Sequence, residues 1–174
     1  MAAQVLADVD ERTGVARLTL NRPENRNALN RALVDRLKQE LDRADRDERV
    51  RVIGILGAGP DFCAGADLRE VQEAVEAGEA ASLADARALG DLFVGIRRLG
   101  KPVVALVHGR ALAGGAGLAT ACDLVLATDD ARLGYPEVKL GFVPAMVMAI
   151  LRRSVGEKRA FEMVALGEAI GAAE

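Results

Sequence analysis

Two glycine-rich loops, each directly after an apolar run, constrain the fold of this chain more than any other feature. The first covers residues 62–68, Phe-Cys-Ala-Gly-Ala-Asp-Leu, and the second covers residues 111–118, Ala-Leu-Ala-Gly-Gly-Ala-Gly-Leu. Glycine and alanine leave backbone N–H groups open to a ligand. The second loop also begins a predicted helix, whose first N–H groups lack internal partners and favour negative charge. We infer that donors from the two loops converge on one oxygen, which would make an oxyanion hole.

Strand and helix patterns alternate along the rest of the chain. Apolar runs predict two strands around a turn at residues 10–14, and further strands at 51–56, 103–107 and 124–127. Leucine at every fourth position predicts an amphipathic helix that contains Leu29, Leu33, Leu37 and Leu41. This alternation predicts an α/β fold with largely parallel strands, in a single domain over residues 1–174.

Two other helical patterns differ in quality. Residues 69–88 are rich in alanine and glutamate but have no clean apolar face, so a mobile, partly helical surface excursion is predicted there. A helical stripe follows over residues 89–99, and two further helical segments end the chain.

Composition excludes several classes of function. With 51% hydrophobic and 28% charged residues the chain is typical of globular proteins. A net charge of −3 and an aromatic content of 3% argue against a nucleic-acid surface. There is no apolar run of membrane-spanning length and no signal-peptide pattern. The two cysteines, Cys63 and Cys122, fit a reducing compartment, so the cytoplasm is expected.

Other readings of the glycine loops and of the reactive residues are weaker. The glycines at 57–59 lack the third glycine of a dinucleotide fingerprint, and residues 109–114 lack the Lys-Ser/Thr of a P-loop. Tight turns and close helix–sheet packing remain an alternative for either loop alone. His108 is the single histidine, without a Gly-x-Ser-x-Gly elbow, and is predicted to be structural. It shows no metal-ligand spacing with the cysteines, so no metal is expected.

Glu137 is the carboxylate most suited to proton transfer. It follows Leu133-Gly134-Tyr135-Pro136 and precedes several apolar residues, so partial desolvation would raise its pKa. Asp67 and Asp123 are instead predicted to accept hydrogen bonds from neighbouring backbone.

Ordered motifs over nearly the whole chain resemble the enoyl-CoA hydratase/isomerase (crotonase) superfamily. They are Asn21-Arg22-Pro23 with Asn27-Ala28-Leu29, residues 62–68, Lys101-Pro102-Val103, residues 109–123, residues 134–137 with Leu140-Gly141, and residues 167–170. The resemblance implies a crotonase-like (ClpP/crotonase) spiral of strand–strand–helix units that binds an acyl-CoA thioester. It also implies a homo-oligomer, a trimer or hexamer, and no cofactor apart from the coenzyme A of the substrate.

The resemblance assigns roles to particular residues. The N–H groups of Ala66 and Gly114 would form the oxyanion hole, and Glu137 would be the catalytic acid or base. Arg26, Ala28 and Leu29 would lie near the pantetheine or phosphates of coenzyme A. The segment of Ala64, Asp67, Leu68 and Arg69 would line the coenzyme A and acyl pocket.

Three departures from the family pattern bear on function. Gly117 stands where family hydratases carry a second glutamate, and residues 144–153 lack their Gly-Gly-Thr-Gln-Arg pattern. The C-terminal helical region of the family is absent or truncated, which predicts uncovered apolar surface around Met146, Met148, Ile150, Phe161, Met163 and Leu166. Enoyl-CoA hydratase of fatty-acid or amino-acid catabolism is the nominal prediction. The alternatives are a Δ3,Δ2-enoyl-CoA isomerase with a single glutamate and a non-catalytic acyl-CoA binder.

Overall fold

The computed structural model describes residues 3–174 as eight strands and six α-helices. The strands are β1 (Val5–Asp10), β2 (Val15–Leu20), β3 (Val52–Gly57), β4 (Val103–Val107), β5 (Arg110–Leu112), β6 (Leu124–Ala127), β7 (Arg132–Gly134) and β8 (Ala169–Gly171). The helices are α1 (Arg31–Arg46), α2 (Leu68–Ala77), α3 (Glu79–Ile96), α4 (Gly114–Ala121), α5 (Ala145–Val155) and α6 (Glu157–Leu166). A 3₁₀ segment, Pro136–Leu140, follows β7.

The larger sheet has the strand order β1-β2-β3-β4-β6. The β1–β2 hairpin is antiparallel, and every other neighbouring pair is parallel. The prediction of an α/β fold with largely parallel pairing is therefore confirmed. Because parallel strands end at the same edge of a sheet, the loops after β3 and β4 lie side by side.

A smaller sheet of order β5-β7-β8 carries the second half of the candidate site. In it β5 runs parallel to β7, with Leu112 opposite Gly134, and β8 runs antiparallel to β7. Each of its strands has three residues, too few for a recognisable alternation, so the sequence did not predict β5 and β8.

The leucine repeat forms α1 as predicted, except that Leu29 lies before the helix and forms a β-bridge with Ala66. Leu33, Leu37 and Leu41 are buried and pack on the larger sheet, while charged residues occupy the outer face. The helix begins at an N-cap, where the side chain of Asn30 accepts a hydrogen bond from the Leu33 N–H at 2.9 Å.

Residues 69–88 are helical over almost their whole length, not partly helical as predicted. These residues form α2 and most of α3, with one break at Gly78, whose φ of +104° few other residues adopt. The apolar residues of α2 do lie on one face, which lines a cavity, whereas the apolar face of α3 is weak. No helix within residues 3–174 has the length and apolarity needed to cross a bilayer.

Candidate active site

The two glycine loops are in direct contact. The Cys63 N–H donates to the Arg110 carbonyl and the Leu112 N–H donates to the Cys63 carbonyl, both at 3.0 Å. A Cβ atom placed on Gly65 would lie 2.9 Å from the Leu112 oxygen and 3.4 Å from the Gly114 nitrogen. Gly65 also has a φ of +106°, so both space and conformation require glycine there.

Ala66 and Gly114 follow this contact, one on each loop. A Cβ atom on Gly114 would lie 3.5 Å from the Ala66 nitrogen, so the two backbone segments are close neighbours. Gly114 is the first residue of α4. Among the residues described, neither N–H group donates to a backbone or side-chain acceptor. The site thus holds two neighbouring unused donors, which an oxyanion hole requires.

The segment around Leu29 holds the first glycine loop, residues 62–68, in place through backbone hydrogen bonds. The Leu29 N–H donates to the Gly65 carbonyl at 2.7 Å and the Asp67 N–H donates to the Leu29 carbonyl at 3.1 Å. These two bonds bracket Ala66, so they fix its peptide while leaving its own N–H unused. Asn27 is fully buried with a φ of +56°, and its side-chain amide donates to the carbonyls of Ala58 and Asp61.

Asp67 is held by a largely buried ion pair. Both terminal nitrogens of Arg22 lie 3.0 Å from one carboxylate oxygen of Asp67, and Arg22 also donates to the Ala28 carbonyl. The other Asp67 oxygen accepts from the Arg69 N–H at 3.2 Å and caps α2. The predicted backbone hydrogen bond of Asp67 is therefore present, but its pairing with Arg22 was not predicted. No sequence pattern links two residues so far apart.

Glu137 lies on the 3₁₀ segment after β7. The residue is half-buried, and its Oε2 atom is fully buried without a hydrogen-bond partner among the described residues. Desolvation raises the pKa of this carboxyl above its ordinary value, as predicted. The Ala113 N–H donates to the Gly134 carbonyl at 2.8 Å, which joins the segment carrying Glu137 to the residue before Gly114.

A second link joins the same two elements. The hydroxyls of Thr120, on α4, and Tyr135 lie 2.6 Å apart. Burial raises the pKa of Tyr135 to about 12, and the nearby charge of Glu137 contributes in the same direction. Tyr135 is therefore a neutral hydrogen-bonding group that fixes the Glu137 segment against α4.

A cavity of about 310 Å³ opens beside the first loop. Ala66, Asp67 and Leu29 are among its lining residues, together with residues of α2 and α3. Phe142 and Met146, which follow the Glu137 segment, complete it. The sequence did not identify the α2 and α3 residues of this lining, because only the pairing of the two helices creates the space.

The remaining residues assigned by resemblance are more scattered. Leu29 and Asp67 line the cavity, whereas Leu68 and Arg69 are exposed outside its lining. Ala64 donates its N–H to the Arg26 carbonyl. The Arg26 side chain is half-exposed, 3.7 Å from the buried carboxylate of Asp61, and Ala28 contributes the carbonyl that Arg22 binds.

Gly117 is closed in by Phe93. A Cβ atom at position 117 would lie 3.0 Å from Cζ and 3.1 Å from Cε2 of the Phe93 ring, and 3.6 Å from Cβ of Val147. Gly117 does not have a positive φ, so the obstacle to a larger residue is packing alone.

The other reactive side chains make structural contacts. His108 Nε2 hydrogen-bonds the Gly59 carbonyl at 2.9 Å. The Cys63 thiol donates to the Asn27 carbonyl, and burial raises its pKa to about 12. Asp123 accepts from the Val103 N–H at 2.8 Å, a backbone group 20 residues away in the sequence and not the neighbouring backbone that was predicted.

The chain is similar in sequence to a known protein family and to several of its members. Residues 10–174 match the family model described as enoyl-CoA hydratase/isomerase. The chain is 44% identical over 164 residues to a protein of Thermus thermophilus named putative enoyl-CoA hydratase, covering 94% of this chain and 65% of that protein. It is 44% identical over 165 residues to the 2,3-dehydroadipyl-CoA hydratase of Escherichia coli, covering 94% of this chain and 63% of that protein. The chain thus spans slightly less than two thirds of these curated relatives.

Solved structures agree with the sequence relatives. A putative enoyl-CoA hydratase/isomerase (crotonase) from Legionella pneumophila superposes with a TM-score of 0.94 at 36% identity, covering 99% of this chain and 66% of that one. An enoyl-CoA hydratase from Mycobacterium smegmatis gives a TM-score of 0.93 at 38% identity, with the same coverage. These likenesses confirm the crotonase-like α/β fold that the motifs predict.

Proposed function

Because the chain belongs to the enoyl-CoA hydratase/isomerase family, we propose that it is an acyl-CoA enzyme that stabilises a thioester enolate. The observation that carries the proposal is the pair of unused N–H donors at Ala66 and Gly114, on two loops in contact. The thioester oxygen would accept both hydrogen bonds, and these would strengthen as the oxygen gains negative charge in the enolate.

Glu137 is the proposed proton-transfer group. Its buried, unpartnered oxygen and raised pKa suit a carboxyl that must exchange a proton near neutral pH. The links from Ala113 to Gly134 and from Thr120 to Tyr135 hold its segment against the helix that begins at Gly114.

Hydration of an enoyl-CoA is the nominal reaction, in keeping with the names of the relatives. Water must then lose a proton as it attacks the β-carbon, and the α-carbon must gain one. Two carboxylates can share these two proton transfers. Because position 117 is glycine, Glu137 is the single carboxylate proposed for both of them here. That observation favours a second candidate, a Δ3,Δ2-enoyl-CoA isomerase, in which one carboxyl moves a proton between the α and γ carbons.

Three measurements distinguish the candidates. Turnover of crotonyl-CoA supports the hydratase, and turnover of a 3-enoyl-CoA supports the isomerase. Binding of coenzyme A esters without either reaction supports the non-catalytic binder. The infrared carbonyl frequency of a bound, unreactive acyl-CoA tests the oxyanion hole directly. A shift to lower frequency is expected, and an unshifted carbonyl would contradict the role of the two donors.

Coenzyme A is the proposed partner, as part of the substrate and without a further cofactor. Arg26, Ala28 and Ala64 are proposed to lie along its pantetheine or phosphates, with Leu68 and Arg69 at the outer edge of the site. The half-exposed guanidinium of Arg26 supports this assignment, because it is accessible to a phosphate.

We also propose self-association into a trimer or hexamer. A cytoplasmic location is proposed as well, and the two buried free cysteines support it.

A further inference from the structure

We infer that Arg22 is a positioning residue for the proposed oxyanion hole, and that it acts mainly by neutralising the carboxylate of Asp67. This inference rests on the proposed function and assigns an electrostatic task to a residue outside the two glycine loops. It comes from a largely buried ion pair beside the Ala66 donor, whose two members are 45 residues apart in the sequence.

Asp67 places a negative charge close to the proposed site of the enolate oxygen. It is the residue after Ala66, and consecutive Cα atoms are ~3.8 Å apart. Both residues line the cavity of about 310 Å³ beside the first loop. The Asp67 side chain is 11% exposed, so water screens its charge only weakly. An unpaired carboxylate at this position would oppose the negative charge that the thioester oxygen gains in the enolate.

Arg22 supplies the compensating positive charge. Both of its terminal nitrogens lie 3.0 Å from one carboxylate oxygen of Asp67, and its side chain is 13% exposed. The other Asp67 oxygen accepts the Arg69 N–H and caps α2. Within residues 3–174, Asp67 forms no ion pair with another cation. The net charge beside the Ala66 donor therefore depends on Arg22.

The Arg22 guanidinium is held in place by its own segment. The Arg22 N–H donates to the side-chain oxygen of Asn27, and the Arg22 carbonyl accepts the Asn27 N–H, both at 2.9 Å. The Arg22 side chain also donates to the Ala28 carbonyl at 2.6 Å. Ala28 precedes Leu29, whose N–H and carbonyl bind the residues on either side of Ala66. Arg22 therefore reaches the oxyanion loop by two routes, one of charge and one of backbone contact.

Two variants separate these routes. Arg22→Met leaves Asp67 unpaired, whereas Arg22→Met combined with Asp67→Asn removes both charges. Both variants lack the contact to the Ala28 carbonyl, and asparagine still caps a helix, so they differ mainly in the charge at position 67. We expect kcat for the best enoyl-CoA substrate to fall by about tenfold or more in Arg22→Met. In the double variant it should be about fivefold or more above that of Arg22→Met, which a purely structural role of Arg22 does not predict.

The infrared carbonyl frequency of bound hexanoyl-CoA, a saturated and unreactive ester, reports the same effect without turnover. The native chain should lower this frequency, Arg22→Met should lose about half of the shift, and the double variant should regain it. A loss of stability alone does not change the frequency in the folded, ligand-bound protein. The dissociation constant should change by less than about threefold, because the ground-state carbonyl carries little charge.

Two further variants control for general damage. Arg36→Met removes the cation of an ion pair on α1 whose carboxylate, Glu40, is also buried. It should lower stability but leave kcat and the carbonyl frequency of the folded protein unchanged. Arg22→Lys keeps the positive charge and should retain more of the carbonyl shift than Arg22→Met. An equal loss of shift in Arg36→Met would contradict a role particular to Arg22.

The outcomes distinguish this inference from the proposed function. A native chain that shifts the carbonyl but turns over no enoyl-CoA would refute the enzyme and leave the inference standing. A native shift that is unchanged in Arg22→Met, or not regained in the double variant, would overturn the inference alone. An unshifted carbonyl in the native chain would overturn both. If Arg22→Met does not fold, Asp67→Asn decides, because loss of the anion must not weaken the shift, and a weaker shift would overturn the inference.

Discussion

At the scale of single residues, Glu137 combines a reactive group with an environment that opposes its charge. Glu137→Gln preserves size and removes proton exchange, so turnover of the best enoyl-CoA substrate should fall by about 10²-fold or more. Binding of acyl-CoA should change little. In the unmodified chain, kcat/KM should rise with pH through a group whose pKa lies above the ordinary value for glutamate, because the ionised form accepts the proton. Near-normal activity of the variant would exclude Glu137 from this role.

The same residue makes a prediction about stability. Its pKa is raised in the folded state, so the folded protein binds more protons than the unfolded one at pH values just above the unfolded pKa of about 4.3. The contribution of Glu137 to stability therefore falls as pH rises through that window and stays low above it. Glu137→Gln should be more stable than the native chain at pH 7, and this advantage should disappear below pH ~4. Urea unfolding at both pH values measures this difference in stability between the variant and the native chain. A difference that does not change with pH would contradict the raised pKa of Glu137.

Gly117 illustrates how packing limits a functional substitution. Gly117→Glu would supply the second carboxylate, but its Cβ would meet the Phe93 ring at 3.0 Å. We expect Gly117→Glu to lower the free energy of unfolding by ~1–3 kcal/mol through overpacking. Gly117→Ala is the control, because it places the same Cβ atom against Phe93 but adds no further atoms, and a gain of ~1 kcal/mol in helix propensity offsets part of that contact.

Activity of the glutamate variant should be compared in folded protein, with Phe93→Leu added to provide room. There the ratio of hydratase to isomerase activity should rise above that of Phe93→Leu alone. Efficient hydration of crotonyl-CoA by the unmodified chain, without turnover of a 3-enoyl-CoA, would contradict the single-glutamate argument.

At the scale of elements, the facing helices α2 and α3 determine the size of the cavity proposed to hold the acyl chain. Ala74→Leu should fill part of the cavity of about 310 Å³ and lower kcat/KM for a ten-carbon enoyl-CoA relative to crotonyl-CoA by about tenfold or more. Ala77→Leu is the control, because Ala77 is on the same helix but exposed. Parallel losses for both substrates in Ala74→Leu would indicate general damage instead of a shorter pocket.

The elements also show what the sequence can predict. The leucine repeat of α1 and the apolar runs of the larger sheet carry their structure in local periodicity, so both were predicted. The resemblance carried by the loop motifs assigned Ala66 and Gly114, and this assignment stays a prediction. The contacts that hold these loops in place were not predicted. Arg22 pairs with Asp67, and Phe93 packs against Gly117, only after segments distant in the sequence come together. The extent of α2 and α3 was underestimated, because Gly78 divides the segment and the apolar face of α3 is weak.

At the scale of the whole molecule, exposed apolar residues predict self-association. Leu124, Val125 and Leu126 are exposed on β6, an edge strand, and Phe161 and Leu166 are exposed on α6. Of the residues expected to be uncovered, Met146 is also exposed, Met148 and Ile150 are partly buried, and Met163 is buried. Unpaired edge strands and large apolar patches both promote association.

Leu126→Lys should therefore reduce the molecular mass measured by light scattering, since a charge on an edge strand opposes its pairing with another chain. The control Leu83→Lys, at an exposed position of α3, should leave the measured mass unchanged. A native chain that is already monomeric and binds no apolar dye would contradict the prediction.

The contact between the loops also has a consequence for how the chain folds. The bridges Leu29↔Ala66 and Cys63↔Ala111 join segments that are tens of residues apart, and the Cys63–Asn27 hydrogen bond spans 36 residues. Contacts of this range form only after long stretches of chain have closed, so they arise late relative to hairpins and helices. The β1–β2 hairpin and α1 can therefore form while the two donors are still far apart. Competence to bind a thioester would then be the last property gained during refolding and the first lost during unfolding.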